Sequence, residues 1–240
     1  MKKLILSVLL IPAVFSAQQT VSRDAEIANY VSQVSADSLK SHINKLVSFG
    51  TRHTMSSTTD AKKGIGAARN WVLSKFKNYA KNSDGKMEVF LQSQTIQPDG
   101  KRINQPTDLG NAIAILRGTD PNDKRIFMIG GHLDSRVSDV MNAKDFAPGA
   151  NDDGSGVGAV IESARILSQS KFPATIIFVA FSGEEQGLLG AKMLAEKAKN
   201  ENWQLEALLN NDMVGNNLSS ETNLINANQL RVFSEGLPQF

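Results

Sequence analysis

Four groups of residues that can bind a metal ion occur in the second half of the chain, each beside a stretch with the pattern of a β-strand. In chain order they are His132, Asp152 with Asp153, Glu184 with Glu185, and Asp212. Because functional sites of open α/β sheets lie outside the carboxyl ends of the strands, we expect these groups to share one site. The chain has no cysteine, so a metal must be held by imidazole and carboxylate groups, and disulfide and thiol chemistry are excluded.

The first group contains a histidine and an aspartate two residues apart, His132 and Asp134. On an extended segment this spacing places both side chains on one side. The Asp134 carboxylate can then accept a hydrogen bond from the His132 ring, as the carboxylates that orient metal-bound histidines do. The alternative is that Asp134 only caps a turn.

The second group, Asp152 and Asp153, lies between glycines in the segment 149–156. Small residues on both sides permit a tight backbone path and close approach to an ion. A carboxylate here can bridge two divalent ions, and the predicted helix that follows favours negative charge at its N-terminus. The alternative is a plain helix N-cap, which is the favoured interpretation for Asp153.

The third group is the tandem pair Glu184 and Glu185. Adjacent residues usually point apart, so one carboxylate can bind a metal while its neighbour acts as a general base. The alternative is that both are charges in the first turn of a helix, favoured by the helix dipole. Asp212 follows an apolar stretch. It is a candidate metal ligand only because it belongs to this series of groups.

The elements that must position these groups alternate between strand and helix. The pattern predicts strands at 87–96, 111–116, 125–130, 174–181 and 207–212, and helices at 153–168 and 187–199. Two earlier helices are predicted to begin at Asp37, read as an N-cap, and at Asp60. This order predicts an α/β fold with a mixed, partly parallel sheet flanked by helices.

The chain contains only three histidines, and two of them precede the four groups. His53 lies in a loop rich in Ser and Thr, and we interpret it as a hydrogen-bonding residue rather than a metal ligand. His42 lies beside the apolar stripe of a predicted helix and is expected to be solvated.

The composition is that of a globular protein with one sizeable core, since 41% of the 240 residues are hydrophobic. There are 26 basic and 24 acidic residues and no basic cluster, so no nucleic-acid partner is expected. Residues 18–36 form a polar lead-in, and 37–240 form one domain.

Residues 1–17, MKKLILSVLLIPAVFSA, have the positive start, apolar centre and small-residue end of a secretory signal peptide. We therefore expect export to the periplasm or the extracellular medium. The apolar run is short for a bilayer, so no stable membrane insertion is expected. The alternative is an uncleaved N-terminal anchor.

The motifs resemble those of the co-catalytic zinc aminopeptidases, the family of the bacterial leucyl aminopeptidases, whose relatives include glutamate carboxypeptidase and glutaminyl cyclase. They are GHLDS at 131–135, APGANDDGSG at 147–156, SGEEQGLLG at 182–190 and NDM at 211–213. The resemblance covers about Phe49 to Asp212, in order, spacing and flanking glycines. It implies that 37–240 is a zinc-peptidase domain folded as an α/β/α sandwich.

The resemblance also implies the metal ligands. Asp152 is expected to bridge two Zn²⁺ ions, and His132 and Asp212 to complete the protein ligands of one of them. Glu185 is expected to bind the other ion. In the family, the second ion takes a further histidine from a later loop, and no histidine follows His132 here. We therefore expect that this chain is a C-terminally incomplete piece of a longer protein. The alternative is a chain that ends at Phe240 with an incomplete second metal site. These residues alone are expected to lack the second ion's histidine and to have little activity.

The roles of the remaining residues follow from the same resemblance. Glu184 is expected to be the general base that takes a proton from the attacking water and passes it to the leaving amine. Asp134 is expected to hold His132 in its tautomer. The peptide bond between Asp152 and Asp153 is expected to be cis.

The function implied is that of an exported zinc-dependent exopeptidase. The leading hypothesis is an aminopeptidase that hydrolyses the N-terminal peptide bond of a peptide or protein with a free N-terminus. Glutaminyl cyclase and carboxypeptidase reactions on the same site are the alternatives, together with a non-catalytic binding homologue. The retained Glu184 argues against the last, because a binding role needs no general base.

Overall fold

The structure is a computed structural model that describes residues 24–218, 225, 228 and 232–233. The predicted signal peptide, 1–17, lies outside the described residues, as does the part of the polar lead-in before residue 24. The remainder of the lead-in contains a short helix. No helix of the described residues is long and apolar enough to cross a membrane.

The described residues alternate between helices and strands as the sequence pattern predicts. In chain order the elements are α1 (Ala25–Ser32), α2 (Ala36–Val47), α3 (Gly64–Ala80), β1 (Met87–Ile96), β2 (Thr107–Leu116), β3 (Arg125–His132), α4 (Gly154–Leu167), β4 (Thr175–Phe181), α5 (Leu189–Asn200) and β5 (Gln204–Asn210). The predicted strands and later helices are therefore confirmed, with ends shifted by a few residues.

The five strands form one mixed sheet in the order β1-β2-β4-β3-β5. β1 pairs antiparallel with β2, and β2 pairs antiparallel with β4. β3 lies parallel to both β4 and β5, with His132 opposite Phe181 and Gly130 opposite Asn210. The carboxyl ends of these three parallel strands consequently meet at one edge of the sheet.

Both faces of the sheet are covered, which confirms the predicted α/β/α sandwich. Along β2, Ala112 and Ala114 face a core shared with α2, α3 and α4, whereas Ile113 and Ile115 face the α5 side. This alternation follows from the period of two along a strand. Burial on both faces explains why β2 and β4 read as nearly continuous apolar runs.

The prediction that Asp37 caps α2 is wrong. The N-cap is Ser35, whose Oγ accepts a hydrogen bond from the backbone N–H of Ser38 at 3.1 Å. Asp37 is the second residue of the helix and lies in its first turn, where its negative charge still favours the helix N-terminus.

The prediction that Asp60 opens the next helix is also wrong, because α3 begins at Gly64. The Asp60 carboxylate instead accepts hydrogen bonds from the backbone N–H groups of Lys62 and Lys63 in the preceding loop. An aspartate that bonds to the backbone two and three residues ahead stabilises a turn as well as a helix start, so the local pattern does not separate the two.

The expectation of a solvated His42 is wrong as well. The residue is only 5% exposed, and it lies on the face of α2 that packs against α4, with its ring against Trp71 of α3. The position beside the apolar stripe is covered because α4 packs against α2 and Trp71 of α3 lies against the ring.

Candidate active site

The site lies at the edge of the sheet where β3, β4 and β5 end. His132 is the last residue of β3, and its backbone N–H donates to Asp153 Oδ2 at 2.9 Å. Asp153 also accepts from Gly156 N at 2.9 Å and is the N-cap of α4, as predicted. This buried carboxylate therefore joins the end of β3 to the start of α4, and the neighbouring Asp152 is brought against the His132 ring.

The structure brings together three of the predicted metal ligands. His132 Nε2 lies 2.9 Å from Asp152 Oδ1 and 3.9 Å from Asp212 Oδ1. One ligand atom from each of the three side chains lies within 4.8 Å of the others, and no other such group occurs among the described residues. The histidine is buried and the two aspartates are exposed, so the group opens to solvent on its carboxylate side.

The close contact between the start of α4 and the segment after β5 places Asp212 in this group. A Cβ atom at Gly156 would lie 2.2 Å from the carbonyl oxygen of Asn211, so only glycine permits this approach. The glycines around Asp152 thus allow the two aspartates, 60 residues apart in sequence, to reach the same histidine.

Asp134 is fully buried and contacts two parts of the site. Its backbone carbonyl oxygen lies 3.1 Å from His132 Nδ1, closer than its carboxylate Oδ1 at 3.7 Å. The carboxylate accepts the backbone N–H of Glu184 at 3.1 Å and that of Glu185 at 3.0 Å. Asp134 therefore holds the turn after β4 as well as lying beside the histidine.

The turn after β4 carries the tandem glutamates and begins at Gly183, which adopts a positive φ of 75°. Both glutamate side chains are partly buried. Glu185 lies apart from the three-residue group and pairs with a cation: its Oε2 accepts from Arg136 Nε at 2.6 Å. The Glu185 carbonyl oxygen accepts from Arg102 Nη1 at 2.7 Å. A second metal ion at Glu185 would have to compete with the Arg136 guanidinium.

The carboxylates strongly change the pKa of the histidine. Burial by itself would lower the pKa of His132, but the adjacent Asp134 and Asp152 carboxylates and the charge of Asp153 outweigh it and raise the pKa to about 11. In return, His132 lowers the pKa of Asp152.

Two carboxyl groups of the site have raised pKa values. Burial raises the pKa of Asp153 to about 7, against the opposing effects of His132 and two backbone N–H donors. Burial also raises the pKa of Glu184, and the nearby charges of Asp134 and Glu185 act in the same direction. A carboxyl group with a raised pKa is more basic when ionised, which suits proton transfer.

The peptide bond between Asp152 and Asp153 is cis, as the resemblance implies.

Sequence reasoning missed Arg52, which is 1% exposed and lies under the site. Its guanidinium donates to the carbonyl oxygens of Leu133 and Pro148 at 2.7 Å, Gly149 at 2.9 Å and Leu46 at 3.2 Å. It thereby joins the end of β3 to the loop that leads to the aspartate pair. Nothing in the local sequence separates this arginine from a solvated one.

His53 makes the hydrogen bonds predicted for it and takes no part in the metal-binding group. Its Nδ1 accepts the backbone N–H of Met55 at 3.1 Å, and its Nε2 lies 2.9 Å from the carbonyl oxygen of Val140. Two further buried residues beside it, Thr54 and Gln186, were missed. The only sequence indication was their position next to a histidine and next to the tandem glutamates.

Comparison with known proteins identifies a related family and a shared fold. The model of peptidase family M28 matches residues 111–235. A probable zinc metalloprotease of Pyrenophora tritici-repentis is 45% identical over 216 residues, which are 90% of this chain and 49% of that protein. The chain spans about half the length of the curated relatives it matches.

Solved structures give the same fold. The Legionella pneumophila LapA aminopeptidase is similar with a TM-score of 0.63 and 21% identity, covering 89% of this chain and 52% of that one. Porphyromonas gingivalis glutaminyl cyclase is similar with a TM-score of 0.60 and 25% identity, covering 75% of this chain and 62% of that one.

Proposed function

The chain belongs to peptidase family M28, and from this membership and the geometry of the site we propose that the complete protein is an exported zinc-dependent aminopeptidase. The observation that carries the proposal is the convergence of His132, Asp152 and Asp212 at the carboxyl edge of the sheet, beside the turn that bears Glu184. The three-residue group can hold a metal, and the partly buried Glu184 carboxylate beside it can accept a proton.

The residues present fit zinc at the three-residue group. Imidazole and carboxylate ligands are those that zinc prefers when cysteine is absent, and three protein ligands leave a position for water. When bound, zinc polarises the scissile carbonyl and lowers the pKa of its water. In the proposal Asp152 and Glu185 would hold a second zinc ion, and for this the Glu185 carboxylate would have to give up its ion pair with Arg136.

The chain's own residues supply the proton transfers and the orientation. The Glu184 carboxylate takes a proton from the attacking water and delivers it to the nitrogen of the leaving amine. Asp134 keeps Glu184 in place through the backbone N–H of that residue. Carboxylates crowd the site, and one that is not engaged by a metal would favour a substrate with a free N-terminal ammonium group.

The experiment that tests the proposal is Glu184→Gln in the complete protein. Zinc content should be unchanged because no ligand is altered, while kcat should fall by about 10²- to 10⁴-fold because the base is lost. Glu196→Gln, an exposed change on α5, is the matched control and should behave as wild type. Wild-type turnover by Glu184→Gln would remove Glu184 from this role.

A second candidate function is glutaminyl cyclisation, which the similarity to the P. gingivalis cyclase favours. A panel of three peptides separates the reactions: one with a free N-terminal leucine, one with the N-terminus acetylated, and one with N-terminal glutamine. Hydrolysis of the first, with or without hydrolysis of the third, and no cleavage of the acetylated peptide supports the aminopeptidase. Ammonia release from the third without hydrolysis supports the cyclase, and cleavage of the acetylated peptide supports a carboxypeptidase.

Export is part of the proposal and is supported by the pattern of residues 1–17. N-terminal sequencing of the protein recovered from the periplasm or the culture medium should start after Ala17. A mature protein that retains Met1 would contradict export by cleavage.

A further inference from the structure

A set of buried polar side chains lies behind the turn that carries Glu184 and Glu185, and it takes no part in the mechanism above. Thr54, Gln186 and His53 are 1%, 3% and 0% exposed, and they adjoin the fully buried Asp134. Buried polar groups are expected to be hydrogen-bonded, and the direction of each bond follows from how many protons each group carries.

The Thr54 hydroxyl decides the orientation of the Gln186 amide. Thr54 Oγ1 lies 3.2 Å from Asp134 Oδ2 and is also hydrogen-bonded to the Gln186 amide, which is placed with Oε1 towards Thr54 and Nε2 towards His53. The hydroxyl has one proton, and the ionised Asp134 can only accept. Thr54 therefore donates to Asp134, and the atom of Gln186 that faces Thr54 must be the amide nitrogen. The oxygen and nitrogen of such an amide are assigned from their partners.

The tautomer of His53 agrees with this orientation. The backbone N–H of Met55 donates to His53 Nδ1 at 3.1 Å, so the ring proton is on Nε2. His53 Nε2 lies 2.9 Å from the Val140 carbonyl oxygen and 3.2 Å from the other end of the Gln186 amide. We assign that end as the amide oxygen because it faces the His53 N–H donor at 3.2 Å. The reversed amide gives up only a 3.5 Å contact between Gln186 and the Val140 carbonyl oxygen.

From these constraints we infer that His53, Gln186 and Thr54 form a directed hydrogen-bond chain, here called the donor chain, that ends on Asp134 and positions the Glu184–Glu185 turn. Every bond in it points towards the Asp134 carboxylate. The oxygen that accepts from Thr54 also accepts from Glu185 N at 3.0 Å. Since Gln186 is the next residue of the same turn, the donor chain links the turn to Asp134 by a second route.

The three residues are positioning residues, because none of them contacts the metal-binding group directly. Their effect on catalysis rests on the proposed aminopeptidase activity, whereas their effect on zinc affinity rests only on zinc binding at the three-residue group. Residues that orient ligands in this way typically contribute about 10- to 100-fold to metal affinity or activity.

The first test needs no substitution. In the complete protein labelled with ¹⁵N-histidine, long-range ¹H–¹⁵N spectra should show the His53 ring proton on Nε2 and none on Nδ1. A ring protonated on Nδ1, or on both nitrogens at neutral pH, would overturn the donor chain.

The second test compares Thr54→Val with Thr54→Ser in the complete protein. Valine keeps the shape but removes the donor, so zinc affinity and kcat should each fall about 10- to 100-fold with KM nearly unchanged. Serine keeps the hydroxyl and should restore both. Equal behaviour of the two variants, whether both match wild type or both are impaired, would overturn the inference.

The two tests also separate this inference from the proposed function. A protein without peptidase activity, but with the Nε2 tautomer and weakened zinc binding in Thr54→Val only, would reject the function and keep the donor chain. An active peptidase with the Nδ1 tautomer would do the reverse.

Discussion

Two buried histidines of this chain face carboxylates and differ in almost everything else. His132 ends a strand and is 4% exposed, and His42 lies on a helix and is 5% exposed. His132 Nε2 is 2.9 Å from Asp152, whereas His42 Nε2 is 4.0 Å from its carboxylate, Glu162. Both ring nitrogens of His42 lack a hydrogen-bond partner among the described residues.

The pKa values of the two rings move in opposite directions. Burial lowers the pKa of His42, the charge of Lys75 lowers it further, and Glu162 does not compensate. Around His132 burial acts in the same sense, but the nearby aspartates outweigh it. Burial without close carboxylates therefore disfavours the protonated form of a histidine. Closely placed carboxylates favour a charged ring or a bound metal.

The fold explains why only one histidine receives such partners. His132 lies where three parallel strands end, and the loops after those strands bring carboxylates from distant parts of the chain to one point. His42 lies among α2, α3 and α4, whose packed faces are mainly apolar. Its partner Glu162 is already engaged by Arg165 and by the backbone N–H of Ser35.

The largest expected effect comes from replacing each of the two histidines by the same residue, glutamine. His132→Gln should lose tightly bound zinc, and activity should fall by about a thousand-fold or more, since a metal contributes several kcal/mol to the transition state. His42→Gln is the matched variant and should keep zinc content and activity, as measured by metal analysis and kcat/KM. Equal losses in the two variants would contradict the distinction drawn here.

The second effect concerns Arg52, a buried cation near the carboxylates that surround His132. No such fully buried cation is described beside His42. Burial lowers the pKa of Arg52 to about 10, against the opposing charges of Asp134, Asp153 and Asp152, so it remains charged at neutral pH. Arg52→Met should lower the free energy of unfolding by about 3–5 kcal/mol, because four backbone carbonyls lose their hydrogen-bond donor and the nearby aspartates lose a compensating charge.

Urea denaturation measures this change, and Arg117→Met is its control. Arg117 pairs with Glu88 on the surface, where both side chains are more than half exposed. Its loss should change the free energy of unfolding by at most about 1 kcal/mol. A similarly small change for Arg52→Met would show that the site does not depend on its buried cation.

The smallest effect is predicted for His42→Leu, which removes two unpartnered ring nitrogens. It should raise the free energy of unfolding at pH 7 by about 1 kcal/mol. Because the folded protein disfavours protonated His42, the unfolded chain binds more protons below the ordinary pKa of about 6.5, and stability falls as the pH falls. The variant should therefore lose less stability than wild type between pH 7 and about 5.5.

Denaturation midpoints at the two pH values provide the measurement. Lys40→Gln, an exposed change on the same helix, is the control and should keep the wild-type pH dependence. An unchanged pH dependence in His42→Leu would mean that His42 is protonated as easily in the folded protein as in the unfolded chain.

The sequence by itself determined the elements and the place in the fold where the candidate site lies. Strands and helices follow from the period of apolar residues, which reflects local geometry, so β1 was predicted with its observed ends, Met87–Ile96. The order of the strands and the acidic groups at their ends predicted that His132, Asp152 and Asp212 would meet, because parallel strands share one edge.

Only the tertiary structure decided which partners each polar residue has. Packing covers His42. Contacts between separate parts of the chain give Arg52 its carbonyl partners, pair Glu185 with Arg136, and place the Thr54 hydroxyl against Asp134. Local sequence carries little information about such pairs, since their energies depend on distances of a few ångströms between separate elements. The same residue types are therefore solvated, structural or catalytic according to what packs against them.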